Sequence, residues 1–251
     1  MKKLCFIAII AIAGCQSQQV VNYKATNLPT VGPVEIDVQS FSGDVKIIVD
    51  PTVVGTVITA MQLEDSIDEV PLAQAKMRCT TEIETGVTGQ IVHIVATCDD
   101  NPLNLIRAEI VVRANSIHGV TVSTKDGDVT LLGVSGAISI QTSDGDVRVV
   151  TPQVINSAVT IENRRGNIVF RVRGESSGII DATAIGGDAS LDLRQGEATI
   201  LPGSTGDHLV AKFNGGTNAI TMRTVDGNIR IHVVADPIGS EPLFSTDWIS
   251  W

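Results

Sequence analysis

The sequence predicts an all-β protein built from repeats. Three observations carry that expectation. Val, Ile, Thr, Gly and Asp recur along 251 residues that are 43% hydrophobic but only 3% aromatic, so the core is aliphatic and the turns are built on Gly and Asp. Apolar and polar residues alternate over most of the chain, the period of a strand with one buried face. Apolar pairs two apart also return at steps of nine residues: Val120/Val122, Val129/Leu131, Ile138/Ile140 and Val147/Val149.

At the start of the chain, Met1-Lys2-Lys3 is basic, and Leu4 to Ala13 is an apolar run too short to span a bilayer. Ile12-Ala13-Gly14-Cys15 follows and resembles the lipobox of bacterial lipoproteins. That resemblance implies residues 1–14 as a cleaved signal peptide and lipid on Cys15, which anchors the chain to a membrane without a transmembrane helix. Residues 15–30, including the polar stretch "QSQQVVNYKATNLPT", read as a lipidated tether. Gln16 after the cysteine resembles the sorting pattern for the outer membrane, so the expected location is the bacterial cell envelope, at that membrane.

Residues 31–236 form the repeat domain. Ile36/Val38 and Val45/Ile47 make a first step of nine. Residues 50–118 then leave the rhythm and read as a non-repeat insertion or cap. Within it, "EDSIDEVPLAQAKMR" predicts one short helix around Leu72 to Arg78, with Pro71 suited to its start. Two β-like runs around Gly86 and Gly89 predict a hairpin. Setting Cys79 opposite Cys98 places Thr81 against Ala96, Ile83 against Ile94 and Thr85 against Val92, which makes one face largely apolar. Export permits disulfides, so a Cys79–Cys98 bridge is expected, with two buried thiols as the rival reading.

The rhythm resumes with Val159/Ile161, Ile168/Phe170, Ile180/Ala182, Ala189/Leu191, Ile220/Met222 and Ile229/Ile231; Ala198/Ile200 and Leu209/Ala211 fit it loosely. A glycine returns at a fixed place in each unit: Gly43, Gly127, Gly145, Gly166, Gly187 and Gly227, each followed by Asp or Asn and then an apolar residue. Glycine supplies positive φ at a corner and Asx tolerates turn geometry. Where Asp126 and Asp144 give way to Arg165 and Gly186, the glycine persists, so the spelling serves the backbone rather than the charge. Each unit has too few apolar residues for its own core, which points to stacking. Periodicity alone leaves an antiparallel meander and a parallel coil both open.

The recurring "SGDVKI", "DGDVTL", "DGDVRV", "RGNIVF" and "DGNIRI" resemble a bacterial family of unknown function called "putative adhesins" (DUF4097-like), over about residues 31–235. The resemblance implies a single-stranded β-helix, or β-solenoid, with strands stacked in parallel between successive turns. About six turns at ~4.8 Å each make a rod on the order of 30 Å. The tail, residues 237–251, holds both tryptophans. It reads as a cap on the last turn or as a docking peptide with Trp248 and Trp251 as anchors.

The net charge of −10, with no basic stripe, argues against nucleic acid as a partner. Asp126, Asp128, Asp144 and Asp146 form a candidate carboxylate column, but the spelling lacks the nonapeptide pattern of calcium-binding rolls, so no metal is expected. His93, His118, His208 and His232 are scattered without metal spacing, and no motif calls for a cofactor. Sugar-cleaving enzymes on parallel β-helices need positioned carboxylates; Asp181, Asp188 and Asp192 are the candidates, without aromatic platforms beside them. The function expected is therefore a lipid-anchored, non-catalytic solenoid, monomeric or paired through its edges, that offers a surface to a protein or glycan. The alternatives are a polysaccharide-acting enzyme and an envelope-stress or signalling component docking through its tail.

Overall fold

In a computed structural model, the described residues are 19–64, 76–86, 89–99 and 105–239. Cys15, Trp248 and Trp251 lie outside them. Two sheets face each other, and the chain passes between them. It enters as β1 (Gln19–Leu28), crosses as β2 (Val34–Ser40) and returns as β3 (Val45–Val49). β4 (Thr56–Glu64), β5 (Met77–Thr85), β6 (Gln90–Cys98) and β7 (Ile106–Ala114) follow. The sheets then alternate through β8 (Ile117–Thr124), β9 (Val129–Leu132), β10 (Ser135–Gln141), β11 (Val147–Val150), β12 (Val159–Glu162) and β13 (Ile168–Arg173). The last strands are β14 (Gly178–Ala184), β15 (Ala189–Leu193), β16 (Ala198–Ile200), β17 (His208–Phe213), β18 (Ala219–Thr224) and β19 (Ile229–Val234).

Sheet A runs β1-β4-β7-β3-β9-β11-β13-β19-β15, and sheet B runs β16-β17-β14-β18-β12-β10-β8-β2-β6-β5. Read together, these orders define seven two-strand rungs: β6–β7, β2–β3, β8–β9, β10–β11, β12–β13, β18–β19 and β14–β15. Neighbouring rungs pair in parallel in both sheets. The architecture is the β-solenoid expected from the repeats, and the meander is excluded for the stacked rungs.

The apolar pairs of the sequence become continuous ladders. In sheet B, Ile36, Val120, Ile138, Val159, Ile220 and Ile180 stand in register. In sheet A, Ile47, Leu131, Val149, Phe170, Ile231 and Leu191 do the same. Most are 0–3% exposed, and Leu191 at the end of the stack packs partly buried against them. Each such side chain contributes about 1.5–3 kcal/mol by burial, and no single rung holds enough of them to stand alone.

Residues 19–28, read from the sequence as part of a tether, form strand β1 at the edge of sheet A, antiparallel to β4; three further features differ from the sequence expectations. First, no helix occurs among the described residues, and Met77 and Arg78 belong to strand β5; residues 65–75 lie outside the description. Second, β16 and β17 are antiparallel to their neighbours rather than stacked in parallel, because Pro202-Gly203 turns the chain back between them. Third, the β5–β6 hairpin is displaced by two residues from the expected register. Met77 faces Cys98, and Cys79 faces Ala96. Cys79 and Cys98 are thiols, and no disulfide joins them. A two-residue slip keeps every side chain on its original face, so hydrophobic patterning could not choose between the registers. The bond from Gly86 N–H to the Gly89 carbonyl (2.7 Å) closes the hairpin found here.

The corner between β8 and β9 recurs between the two strands of most rungs. Gly127, Gly145, Gly166 and Gly227 have φ between +105° and +154°. They stack so closely that a Cβ on Gly145 would lie 2.4 Å from the Gly127 carbonyl oxygen, and one on Gly227 would lie 2.1 Å from that of Gly166. Beside them runs a ladder of Asx side chains. The Oδ1 of Asp44 accepts from the Asp128 backbone N–H at 2.9 Å, Asp128 from Asp146 at 2.7 Å, and Asp146 from Asn167 at 2.7 Å. Asn167 continues it to Asn228 and Asn228 to Asp188, each at 3.0 Å. Three residues before the corner glycine, Thr124 and Thr142 donate to the carbonyls of Asp126 and Asp144, and Asn163 donates to that of Gly145. The corner therefore reads hydroxyl or amide, any residue, variable residue, glycine, Asx, with each type that recurs along the chain given a backbone partner.

Gly145→Ala is expected to lower stability by at least about 3 kcal/mol, through positive φ and the clash with Gly127 together. Gly203→Ala, at φ +97° with nothing within 4 Å, should lose only the backbone term, about 1–2 kcal/mol. Urea unfolding of both variants tests this, and equal losses would refute the stacking argument.

Candidate functional site

The carboxylates that the sequence singles out are largely absorbed by the corner. Asp128 and Asp146 accept backbone N–H groups of the next rung. Asp126 accepts from the Ser42 hydroxyl and, at 3.2 Å, from the Gly43 N–H. Asp144 pairs with Arg165 at 2.5 Å, and Arg165 lies between Asp144 and Asp226 through two backbone bridges. Among the described residues, no group of three or more His, Cys, Asp or Glu is placed to hold a metal ion. Partial burial raises the pKa of Asp128, and the neighbouring carboxylates of Asp44 and Asp146 push the same way against the hydrogen bond from Asp146 N–H.

The enzyme candidates are dispersed. Asp181 points out of sheet B and meets His208 Nε2 at 2.9 Å. Asp188 ends the Asx ladder. Asp192, on sheet A, lies 3.4 Å from Arg194 Nε and 4.0 Å from His232 Nδ1. These three do not converge on a common cleft, as a carboxylate pair working on one glycosidic bond would have to.

The two outer walls differ. On sheet A, Val150, Arg171 and His232 stand in register and alternate with core residues, yet they are only 1–2% exposed. On sheet B, Thr121, Ser139, Thr160 and Thr221 form an exposed hydroxyl row across four strands. Asp37 continues it at one end through Thr121, and Asp181 at the other through Thr221. Each end carries an imidazole on its carboxylate: His93 Nδ1 lies 2.9 Å from Asp37, and His208 lies on Asp181.

A depression of about 420 Å³ is set into this wall across β2, β8, β10 and β12. Glu35, Asp37, His118, Thr121, Ser139 and Thr160 line it. Its cause is local. Between Val34/Ile36 and Ile117/Val120 the β2–β8 pairing shifts, so that His118 and Gly119 oppose Glu35 alone. A second shift occurs where β10 meets β8. Such bulges bend a sheet and redirect side chains, and they recur beside functional sites. Gly119 has φ +119°, and a Cβ there would lie 3.0 Å from Glu35 Cγ. His118 Nδ1 lies 3.1 Å from Ser135 Oγ. In the sequence His118 stands apart from the other histidines, without metal spacing. The break in alternation at His118-Gly119-Val120 was the available signal.

At one end of the wall, His93 joins three strands. Its Nδ1 meets Asp37 on β2, and its Nε2 meets Glu84 on β5 at 3.1 Å. The hydrogen bond to Asp37 raises its pKa above the ordinary imidazole value; partial desolvation opposes this, and Glu84 adds to it.

The sequence profile of the family described as Toastrack DUF4097 matches residues 16–232. Among solved structures, a "putative cell adhesion protein" from Clostridium sporogenes ATCC 15579 is similar to this chain with a TM-score of 0.60 at 12% identity, over 84% of this chain and 99% of that one. At that identity the likeness is one of fold. A "putative adhesin" from Bacteroides fragilis NCTC 9343 matches at 10% identity over 84% of this chain and 97% of its own, with a TM-score of 0.23, too low to carry an argument. No curated protein matches the chain.

Two pH-dependent outcomes follow. A raised His93 pKa stabilises the fold below the imidazole's unfolded value, and that contribution disappears as pH rises through the folded one. His93→Gln should therefore lower the urea midpoint near pH 5.5 and leave it almost unchanged near pH 8.5; equal losses at both would reject the clamp. Asp128 has the opposite consequence, because a raised carboxyl pKa destabilises the fold once the group ionises. Asp128→Asn keeps the Oδ1 acceptor, as Asn167 does, and should raise thermal stability at neutral pH by an amount that fades as pH falls through the carboxylate range. A gain that persists undiminished in acid contradicts this.

Proposed function

We propose, from the premise that the chain belongs to the Toastrack DUF4097 family, that it is a non-catalytic module of the bacterial cell envelope, anchored by lipid on Cys15 and presenting the outer wall of sheet B to a protein or glycan. The depression over β2, β8, β10 and β12 carries the reading. It is a polar recess on a rigid wall, floored by hydroxyls whose spacing is fixed by the rungs, and its bulge is built rather than incidental. The dispersal of Asp181, Asp188 and Asp192 supports a binding role over a sugar-cleaving one. The clostridial fold relative, described in connection with cell adhesion, agrees with it.

Lipid anchoring rests on Ile12-Ala13-Gly14-Cys15 and the preceding basic and apolar segments, and the outer-membrane address rests on Gln16. Tandem Trp248 and Trp251 remain candidates for a second contact or for capping.

Ser139→Arg places a long cation in the middle of the recess without entering the core. Binding of the full chain to arrayed envelope glycans and to isolated envelope protein fractions should fall at least tenfold in this variant, with thermal stability unchanged. Undiminished binding would sink the wall as the contact surface. Mass spectrometry of the mature N-terminus tests the anchor separately, and an unmodified Cys15 removes it.

A further inference from the structure

The β5–β6 hairpin admits two registers, and its two cysteines distinguish them. In the register found, Met77 faces Cys98, Cys79 faces Ala96, Thr81 faces Ile94 and Ile83 faces Val92. Among the described residues, β5 is the edge strand of sheet B and pairs only with β6. An edge strand is the element of a sheet freest to slide, and a slide of two residues leaves inward side chains inward. In the slid register Cys79 faces Cys98, Thr81 faces Ala96 and Ile83 faces Ile94.

Neighbouring groups are compatible with both arrangements. Arg78 now faces Thr97 but reaches diagonally to Asp99; after the slide it stands directly opposite Asp99. Glu84 now faces Ile91 but reaches diagonally to His93; after the slide it faces His93. Ile83, 37% exposed at present, moves against Ile94, which is fully buried. Against these stand the bond from Met77 N–H to Gln62 Oε1 at 3.0 Å, the Lys24 Nζ bond to the Cys79 carbonyl at 3.1 Å, and the burial of Met77, 7% exposed. The reduced hairpin keeps those three contacts.

We propose that Cys79 and Cys98 are an oxidative modification site whose closure is coupled to a two-residue slide of β5 along β6. The oxidant is an external disulfide, of a small molecule or a dithiol oxidoreductase. One cysteine thiolate attacks a donor sulfur, forming a mixed disulfide and releasing one donor thiolate. The second cysteine thiolate attacks the first cysteine's own sulfur in that mixed disulfide, closing the Cys79–Cys98 bond and releasing the other donor thiolate. The two thiols lose two protons and two electrons, and the donor disulfide is reduced to two thiols. The slide moves Glu82 and Glu84 along the rim of sheet B beside His93 and Asp37, so the redox state alters one end of the exposed wall. The coupling stands whatever that wall binds.

The test is a titration of the full chain with reduced and oxidised glutathione, read by mass and by cross-strand Hα contacts in nuclear magnetic resonance. In the peptides that carry Cys79 and Cys98, both thiols should disappear together with a loss of two hydrogens, and Thr81 should exchange its contact with Ile94 for one with Ala96. Failure of the wild-type chain to close the bond overturns the proposal, as does closure with Thr81 still against Ile94. A chain carrying Ala96→Cys and Cys98→Ala has its sulfurs opposed in the reduced register and should close with no change in pairing. A slide in that chain as well would show that sliding is not tied to the Cys79–Cys98 bond, and would overturn the coupling.

Discussion

The approach of one glycine to the carbonyl of the glycine beneath it governs the molecule. A parallel coil whose rungs differ in length can keep its apolar ladders aligned only if every rung turns at the same place. The column from Gly43 to Gly227 supplies that fixed edge, because nothing larger than hydrogen fits between stacked corners. With the edge fixed, Val45, Val129, Val147, Ile168 and Ile229 start their strands level with one another. Variation in length is then pushed to the opposite corner, where the chain between β11 and β12 is longer than that between β9 and β10.

The same edge explains the Asp-Gly-Asp spelling. The Asx after each glycine from Gly43 to Gly227 is an acceptor for the next rung; three residues before the glycine, Thr124 and Thr142 hold their own turns from within, while Asn163 and Thr224 donate to glycine carbonyls of the neighbouring rung. Carboxylate and carboxamide serve equally as the acceptor, which is why Asp44, Asp128 and Asp146 pass to Asn167 and Asn228 along the stack. The residue before each glycine is the free variable. It is Ser42, Asp126, Asp144, Arg165, Asp226 or Gly186, and Arg165 stands between Asp144 and Asp226.

The sequence made the ladders, the corners and the parallel stack legible, because each is a local pattern repeated at constant spacing. Rung order was not legible. Ile220/Met222 and Ile180/Ala182 look equally suited to follow Val159/Ile161, and self-similar units do not encode which neighbour they will meet. The register of β5 was hidden for a related reason, since a slip of two preserves every facing. The recess was hidden because it arises from a phase change at His118-Gly119, a single irregularity within a regular strand. The antiparallel end of sheet B at β16–β17 turns on Pro202-Gly203, a break that repeat spacing does not display, and is the place where the loosest pairs, Ala198/Ile200 and Leu209/Ala211, departed from the rule.

The position of β18–β19 sets when the molecule becomes whole. These are the last strands of the described chain, yet they lie inside the stack, between β12–β13 and β14–β15. In a solenoid wound in order, a nascent or shortened chain is a shorter rod with one new end. Here a chain halted before Ala219 has an interior slot, with two facing ladders and no rung between them. Synthesis of this protein therefore ends with a keystone: until residues 219–234 have arrived, the upper and lower parts of the wall have no continuous connection through either sheet.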